Sequence, residues 1–342
     1  MTISDQKLSP SKQARRSAPA DLTTSEKIRS LLHFPNRRIL GVVTALIVTF
    51  VFFTIMVPQF LRVENLIEMG VQSSIIAVIA LGMTLVIVTG GIDLSVGAIV
   101  GLVSVICATN LPTWGVIPTI IIGLSLGAVL GYINGAFSAF FSLESFVVTL
   151  ATLNVYRGLA FLYTEGRPIF GIDQGFRDVF GASIGPVPKL LVVLVGATVL
   201  CYLILNRSRL GVHLKAVGTN ADAARKSGVA VNRTKVMAFV LSGLLCGLGA
   251  LMLMTRIGAA EPISGTGYEL TVIAAVVVGG TSLMGGRASI VGTVLGAILL
   301  GAIRTGLTLM NVNPFLQLVV TGAIILFAVL LDRAITQTKV KH

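Results

Sequence analysis

The chain has 342 residues, of which 54% are hydrophobic and only 12% are charged. A soluble domain carries about 25% charged residues, so this composition excludes an ordinary water-exposed globular protein. The formal net charge of +12 is spread over the boundaries of apolar segments, which argues against a nucleic-acid-binding domain.

The polar residues 1–39 are predicted to form a flexible cytoplasmic tail. Apolar runs follow, several of them near the length of about 20 residues that crosses a bilayer core. The runs are continuously apolar, which favours helices over the alternating strands of a membrane β-barrel. We predict an all-α polytopic membrane protein with about ten transmembrane helices. The ten apolar segments are 40–58, 68–89, 95–110, 116–136, 145–163, 190–206, 236–255, 269–280, 290–308 and 315–332.

Two places break this pattern. The second and third segments are separated only by GGIDLS (90–95), and the eighth segment (269–280) is too short to span a membrane unaided. Both features predict broken or short helices near a pathway. Glycines spaced four apart, such as Gly243 and Gly247, predict close helix packing.

The charges predict an orientation. If the segments alternate from a cytoplasmic N-terminus, most of the 26 Lys and Arg residues lie in inside regions, as the positive-inside rule requires. The transmembrane domain is then 40–335, with a long cytoplasmic loop at 207–235 and a cytoplasmic C-terminal tail at 336–342. Arg157 lies near the end of its segment, and we expect it to reach outward to the membrane surface.

The GGIDLS stretch places polar groups inside apolar sequence. Gly90 and Gly91 interrupt the helix, and Asp93 would cost about 2.5–3.5 kcal/mol at a lipid-facing helix centre. Two interpretations avoid this cost and are compatible. Either Asp93 or Ser95 caps the following helix, or Asp93 faces a wet pathway and offers acceptors to the hydroxyls of a sugar. We expect the stretch to lie at or near a translocation path.

A second polar break is GGTSLMGG (279–286), which serves either as a gate or as a packing hinge. Uncharged polar groups in the breaks and in the fifth segment suit a hydroxyl-rich substrate better than an ion. For the fifth segment, hydrogen bonding between helices is an equal alternative. The predicted pathway residues are Gly90, Gly91, Asp93, Ser95, Thr149, Asn154, Gly279, Gly280, Thr281 and Ser282.

The 207–235 loop contains a short predicted helix. Asn220 is a good N-cap, the following ADAARKS favours helix, and Gly228 can end it in a left-handed conformation. The small side chains of Ala223 and Ala224 suit a helix that docks into a groove on another protein. The alternative is a solvated basic loop that only maintains orientation.

Asp222-Ala223-Ala224 followed three residues later by Gly228 resembles the acidic-Ala-Ala-x3-Gly coupling signature of permease subunits in bacterial ABC importers. More closely, the chain resembles the ribose/xylose/arabinose-type permeases. It departs from them at Leu143-Glu144-Ser145, where family members usually carry proline. The matching stretches are GGIDLSVGA (90–98), NGAF (134–137), FVVTLATLNVYRG (146–158), GTNADAARKSGV (218–229) and YELTVIAAVVVGGTSLMGG (268–286).

The resemblance implies a multi-pass protein of the bacterial inner membrane that carries a monosaccharide or a related polyol. It implies three partners: an ATPase subunit, a periplasmic sugar-binding protein, and a second permease copy that is identical or closely related. The residues implied to contact the ATPase are Asn220, Asp222, Ala223, Ala224, Arg225 and Gly228.

The sequence has no G-x-x-x-x-G-K-[ST] phosphate loop, no metal-ligand cluster and no nucleophile–base pair. We therefore expect a transport subunit and not an enzyme, with no cofactor or metal of its own and with ATP hydrolysed by the partner. Two alternatives remain open. One is a branched-chain amino acid ABC permease, and the other is an ion-coupled secondary transporter with Asp93, Glu269 and Arg304 as its charge relay.

Overall fold

The computed structural model describes residues 37–324 and residue 326. This part of the chain is dominated by helices. They are α1 Arg37–Met56, α2 Val63–Ile87, α3 Val96–Trp114, α4 Val116–Phe140, α5 Ser145–Thr164, α6 Gln174–Gly181, α7 Lys189–Arg207, α8 Arg209–Thr219, α9 Ala221–Lys226, α10 Val231–Ile257, α11 Tyr268–Val278, α12 Ile290–Leu309 and α13 Pro314–Ile324.

The remaining regular structure is small. A 3-10 turn, Pro58–Leu61, joins α1 to α2. Two antiparallel ladders of two-residue strands lie between the later helices. The strands are β1 Ile169–Phe170 paired with β4 Ala259–Ala260, and β2 Ser183–Ile184 paired with β3 Val187–Pro188.

Eight helices are long and apolar enough to cross a membrane, namely α1, α2, α3, α4, α5, α7, α10 and α12, and α11 and α13 are shorter apolar helices. The prediction of an all-α polytopic membrane protein is therefore confirmed, and α11 is the short eighth segment. The predicted tails fall largely outside the described residues, as does the end of the predicted tenth segment.

The centre of the bundle is formed by helices that are apolar on every side. In α2 and α3 almost every residue of the inner turns is buried, as expected for helices surrounded by other helices. The outer helices differ. On α1 and α5, side chains such as Ile55 (70% exposed) and Leu162 (77% exposed) point away from the bundle, which suits contact with lipid.

Glycines set the distance between α4 and α10. Gly127 lies against Gly243 and Gly247, and a Cβ at Gly127 would sit only 2.9 Å from the Gly247 nitrogen. Gly131 packs against the Phe239 carbonyl and the Gly243 Cα in the same way. The close packing predicted from Gly243 and Gly247 is therefore observed.

The connections divide into two faces of the bundle. On one face, the Gly286 N–H donates to the Val88 carbonyl at 2.8 Å and the Ile92 N–H donates to the Ser145 hydroxyl at 3.0 Å. On the opposite face, β1 pairs with β4. We call these the break face and the strand face. This grouping is the one expected from spans that alternate in direction.

Two helices were not predicted, namely α6, between the fifth and sixth apolar segments, and α8. The 207–235 loop contains α8 in addition to the expected short helix. Its sequence has weak local signals, because it includes glycine and β-branched residues. Leu214 and Val217 are buried, so packing against the bundle stabilises α8 where local propensity does not.

We expect Gly243→Ala to lower the melting temperature of the purified protein in detergent. The added Cβ would overlap the Gly127 carbonyl and lie 2.9 Å from the Gly131 Cα, and overpacking of this kind costs about 1–3 kcal/mol. Gly196→Ala in α7 is the matched control, because nothing lies within 4 Å of its added Cβ. Equal melting temperatures for the two variants would contradict this packing.

Candidate functional site

The first break follows a helix end that requires glycine. Gly90 has φ of +85°, a left-handed conformation that glycine adopts without strain. The Gly90 and Gly91 N–H groups donate back to the carbonyls of Ile87 (2.9 Å) and Val86 (3.3 Å). This pattern closes the end of α2 and turns the chain away from the helix axis.

Asp93 lies at the start of the next helix. Its side chain is fully buried, and Oδ1 accepts hydrogen bonds from the Ser95 N–H at 3.0 Å and the Ser95 hydroxyl at 2.7 Å. Ser95 is the residue immediately before α3. Oδ2 is also buried and has no hydrogen-bond partner in the described part of the chain. In this conformation the carboxylate braces the start of α3.

A buried polar chain continues from Ser95 into two further helices. The Asn134 Nδ2 donates to the Ser95 hydroxyl at 2.7 Å, and the Tyr156 hydroxyl lies 3.1 Å from Asn134 Oδ1. Both side chains are buried. The break is thereby connected to α4 and α5. Sequence reasoning assigned no role to Asn134 or Tyr156, although an asparagine in an apolar run was a signal of the same kind as Asp93.

The two predicted pathway residues of α5 have different surroundings. Thr149 is buried, and its hydroxyl lies 2.8 Å from the Ser145 carbonyl and 3.2 Å from the Ile92 carbonyl. It therefore contacts the first break. Asn154 is exposed and donates to the Leu150 carbonyl of its own helix at 3.0 Å, so it lies on the outer side of α5, away from the break.

The second break repeats the backbone pattern of the first. Gly280 has φ of +87°, and the N–H groups of Gly280 and Thr281 donate to Val277 (2.8 Å) and Val276 (3.2 Å). Thr281 and Ser282 are buried, and the Thr281 hydroxyl accepts from the Ser289 N–H at 3.2 Å. The Thr281 hydroxyl and these backbone groups are therefore used within the protein. Gly279 packs against the backbone of α12.

The two breaks meet at a group of glycines that we call the glycine junction: Gly90, Gly218, Gly285 and Gly286. Gly218 is near the end of α8, and a Cβ there would overlap the Val88 carbonyl and lie 2.6 Å from the Gly286 nitrogen. A Cβ at Gly285 would lie 3.0 Å from the Gly90 nitrogen. Backbone thus packs directly on backbone, without side chains between the segments.

The short helix α9 begins three residues after Gly218, at Ala221. The Asn220 side chain accepts from the Ala223 N–H at 2.9 Å, and Gly228 ends the turn with φ of +85°, as predicted from the sequence. Ala224 is buried against Val217 and Val231. The other predicted coupling positions are all exposed. They are Asn220, Asp222, Ala223, Arg225 and Gly228.

A polar cavity of about 190 Å³ lies between α9 and the first break. Gly90 and Gly91 line it from the break, and Arg225 lines it from α9. Glu144 and Lys235 complete its charged lining. The structure therefore brings together two sets of residues that the sequence analysis treated separately.

The charges predicted for an ion-coupled relay do not form ion pairs with one another. Within residues 39–324, the ion pairs are Arg167–Glu165, Arg225–Asp222 and Arg256–Glu68. Arg304 is exposed, and Glu269 accepts from the Gly267 N–H at 3.2 Å. In the same part of the chain, no three His, Cys, Asp or Glu residues are grouped as metal ligands.

Comparison with known proteins places this architecture in a family. The family described as "Branched-chain amino acid transport system / permease component" matches residues 65–329. The chain is 45% identical over 301 residues to the ribose import permease protein of Bacillus subtilis, covering 86% of this chain and 92% of that protein.

Two other relatives come from Escherichia coli. A D-allose transport system permease protein is 34% identical over 294 residues, covering 85% of this chain and 90% of the relative. A galactose/methyl galactoside import permease protein is 36% identical over 312 residues, covering 85% of this chain and 93% of the relative. No solved structure matches the chain. The broken helices, the capped loop helix and these relatives together show that the chain belongs to the sugar ABC importer permease family.

Proposed function

We propose that this chain forms the passage for a monosaccharide or a related polyol and that a separate ATPase subunit drives it by moving α9. The observation that carries the proposal is the glycine junction. Gly218, just before α9, contacts the backbone of both helix breaks. A displacement of α9 would therefore reach both breaks without passing through flexible side chains.

The exposed side of α9 supports docking of a partner. Asp222, Ala223 and Arg225 are exposed, while Ala224 anchors the helix to the bundle. The small Ala223 leaves room for a groove to close around the helix, and the flanking charges offer polar contacts at its edge. The ATPase binds here and supplies the nucleotide chemistry, and this chain binds no cofactor.

The relatives support the substrate class. Their names specify ribose, D-allose and galactose or methyl galactoside, all of them neutral and rich in hydroxyls. Among the buried side chains of the breaks, Asp93 Oδ2 has no partner in the described part of the chain and can accept a hydrogen bond from a sugar hydroxyl. The sugar names of these relatives argue against the branched-chain amino acid alternative.

The proposed assembly has two permease copies in the bacterial inner membrane, identical or closely related. The break face with α8 and α9 is cytoplasmic, as are both termini, because the basic residues concentrate on that side. The strand face meets a periplasmic sugar-binding protein that delivers substrate.

The test of this function is uptake by proteoliposomes that contain the permease, its ATPase subunit and the sugar-binding protein. We expect ATP-dependent uptake of a labelled monosaccharide that unlabelled sugars reduce and leucine does not. Uptake should persist when ion gradients are dissipated while ATP remains. Competition by leucine, or loss of uptake on dissipation of the gradients alone, would contradict the proposal.

Substitutions of Asp93 distinguish its role as a hydrogen-bond acceptor at the start of α3 from a role of its negative charge. Asp93→Asn keeps an acceptor for the Ser95 N–H and hydroxyl, so we expect near-normal membrane levels and partial uptake. Asp93→Ala removes this acceptor and leaves buried donors unpaired, at a cost of about 1–3 kcal/mol, so both membrane level and uptake should fall. Immunoblots of membranes and uptake assays measure the two effects. Normal uptake by Asp93→Ala would remove Asp93 from any essential role.

Gly218→Ala tests the junction. The added Cβ would overlap the Val88 carbonyl, so the breaks must separate from α8 while α9 keeps its own contacts. We expect the ATPase to co-purify with the variant and to hydrolyse ATP, but sugar uptake per ATP should fall strongly. Gly196→Ala is the control. Normal uptake per ATP in Gly218→Ala would show that the junction does not transmit movement.

A further inference from the structure

An irregular segment enters the bundle from the strand face. After β4, residues 261–267 run without regular structure to the start of α11. That helix has 11 residues, about 16 Å at 1.5 Å per residue, roughly half of a bilayer core of about 30 Å. This helix is therefore too short to cross the core alone, and the segment before it enters the bundle as far as Gly97, near the start of α3.

Arg157 of α5 binds this segment. Its Nη1 donates to the Pro262 carbonyl at 2.6 Å and to the Ser264 carbonyl at 2.7 Å. Arg157 precedes the last residue of α5, Thr164, by seven positions, about 10 Å along the helix axis. The expectation that Arg157 reaches outward was wrong, because its guanidinium is directed into the bundle and bound by backbone carbonyls.

Two glycines of α3 make room for these contacts. A Cβ at Gly101 would lie 2.7 Å from Arg157 Nη1 and 2.9 Å from the Ser264 carbonyl oxygen. One turn earlier, a Cβ at Gly97 would overlap the Gly265 carbonyl. The segment is thus held between the arginine of α5 and the bare backbone of α3.

One side of the segment is not covered by the chain. Pro262 and Gly265 are buried, whereas Ile263 is 57% exposed and Thr266 is exposed. Irregular backbone at membrane depth is tolerated only where it is buried in protein or lines a water-filled cavity. An exposed flank at this depth is therefore suited to a wet passage or to contact with the second permease copy, and not to lipid.

We propose that residues 261–267 form an outer gate of the passage and that Arg157 is the positioning residue that holds this gate closed against α3. The proposal rests on the transport function proposed above and adds the element that closes the passage from the strand face. Arg157 acts through the two carbonyls and contacts no substrate in this role.

The first experiment uses the permease–ATPase complex in liposomes, without nucleotide or binding protein. We measure efflux of a preloaded labelled sugar from native protein, Arg157→Met and Arg157→Lys. Loss of two charge-assisted hydrogen bonds should raise efflux from Arg157→Met roughly tenfold. Arg157→Lys should stay near the native rate, because an ammonium can still donate to both carbonyls.

A direct readout is the reaction of Ser264→Cys with a membrane-impermeant maleimide. The three native cysteines are buried, so the introduced thiol is the accessible one among the described residues. We expect its labelling rate to rise roughly tenfold when Arg157→Met is added. Monodispersity in detergent checks that each variant is folded.

Gly101→Ala keeps the arginine and disturbs the same contact from α3, so it tests the gate if Arg157→Met does not fold. We expect it to leak and to label like Arg157→Met, whereas Gly196→Ala should behave as native. The gate is refuted if Arg157→Met and Gly101→Ala leak and label at native rates, or if Arg157→Lys leaks as much as Arg157→Met. If ATP-driven uptake were intact in these variants, such results would refute the gate and would not contradict the proposed transport function.

Discussion

Backbone groups that leave a helix inside a bilayer must find partners within the protein, and this constraint organises the break face. The Gly286 N–H is satisfied by the Val88 carbonyl, and the Ile92 N–H by the Ser145 hydroxyl. Each of these hydrogen bonds joins segments far apart in the chain. The breaks are therefore held in defined positions, and each can move only if its partner segment moves or the bond is replaced.

The proposed function depends on which segments supply the hydrogen-bond partners of these backbone groups. Because the two breaks bind each other and both pack on Gly218, the end of α8 is part of the same rigid contact. The helix that offers an exposed docking surface, α9, begins immediately afterwards. On the strand face, a charged side chain and two backbone carbonyls hold a second irregular segment. In the proposed mechanism this segment closes the passage from the strand face, and the breaks receive the movement of α9.

Local features of the sequence predicted much of this architecture. Run length predicted the apolar helices, and the cap residues Asn220 and Gly228 predicted α9, because these signals depend on neighbouring residues. The contacts between distant segments were not predictable in this way. The Ser95–Asn134–Tyr156 chain and the inward direction of Arg157 depend on how α3, α4 and α5 pack. No local feature of the sequence indicated that Gly218 packs against the backbone of two other segments.

The central claim is that movement of α9 reaches both breaks together. Hydrogen–deuterium exchange of the permease–ATPase complex, with and without bound nucleotide, measures this directly. The account predicts that nucleotide changes amide exchange in residues 88–95 and 279–289 together with residues 218–230. Exchange that changes at 218–230 while both breaks remain as they were would contradict it.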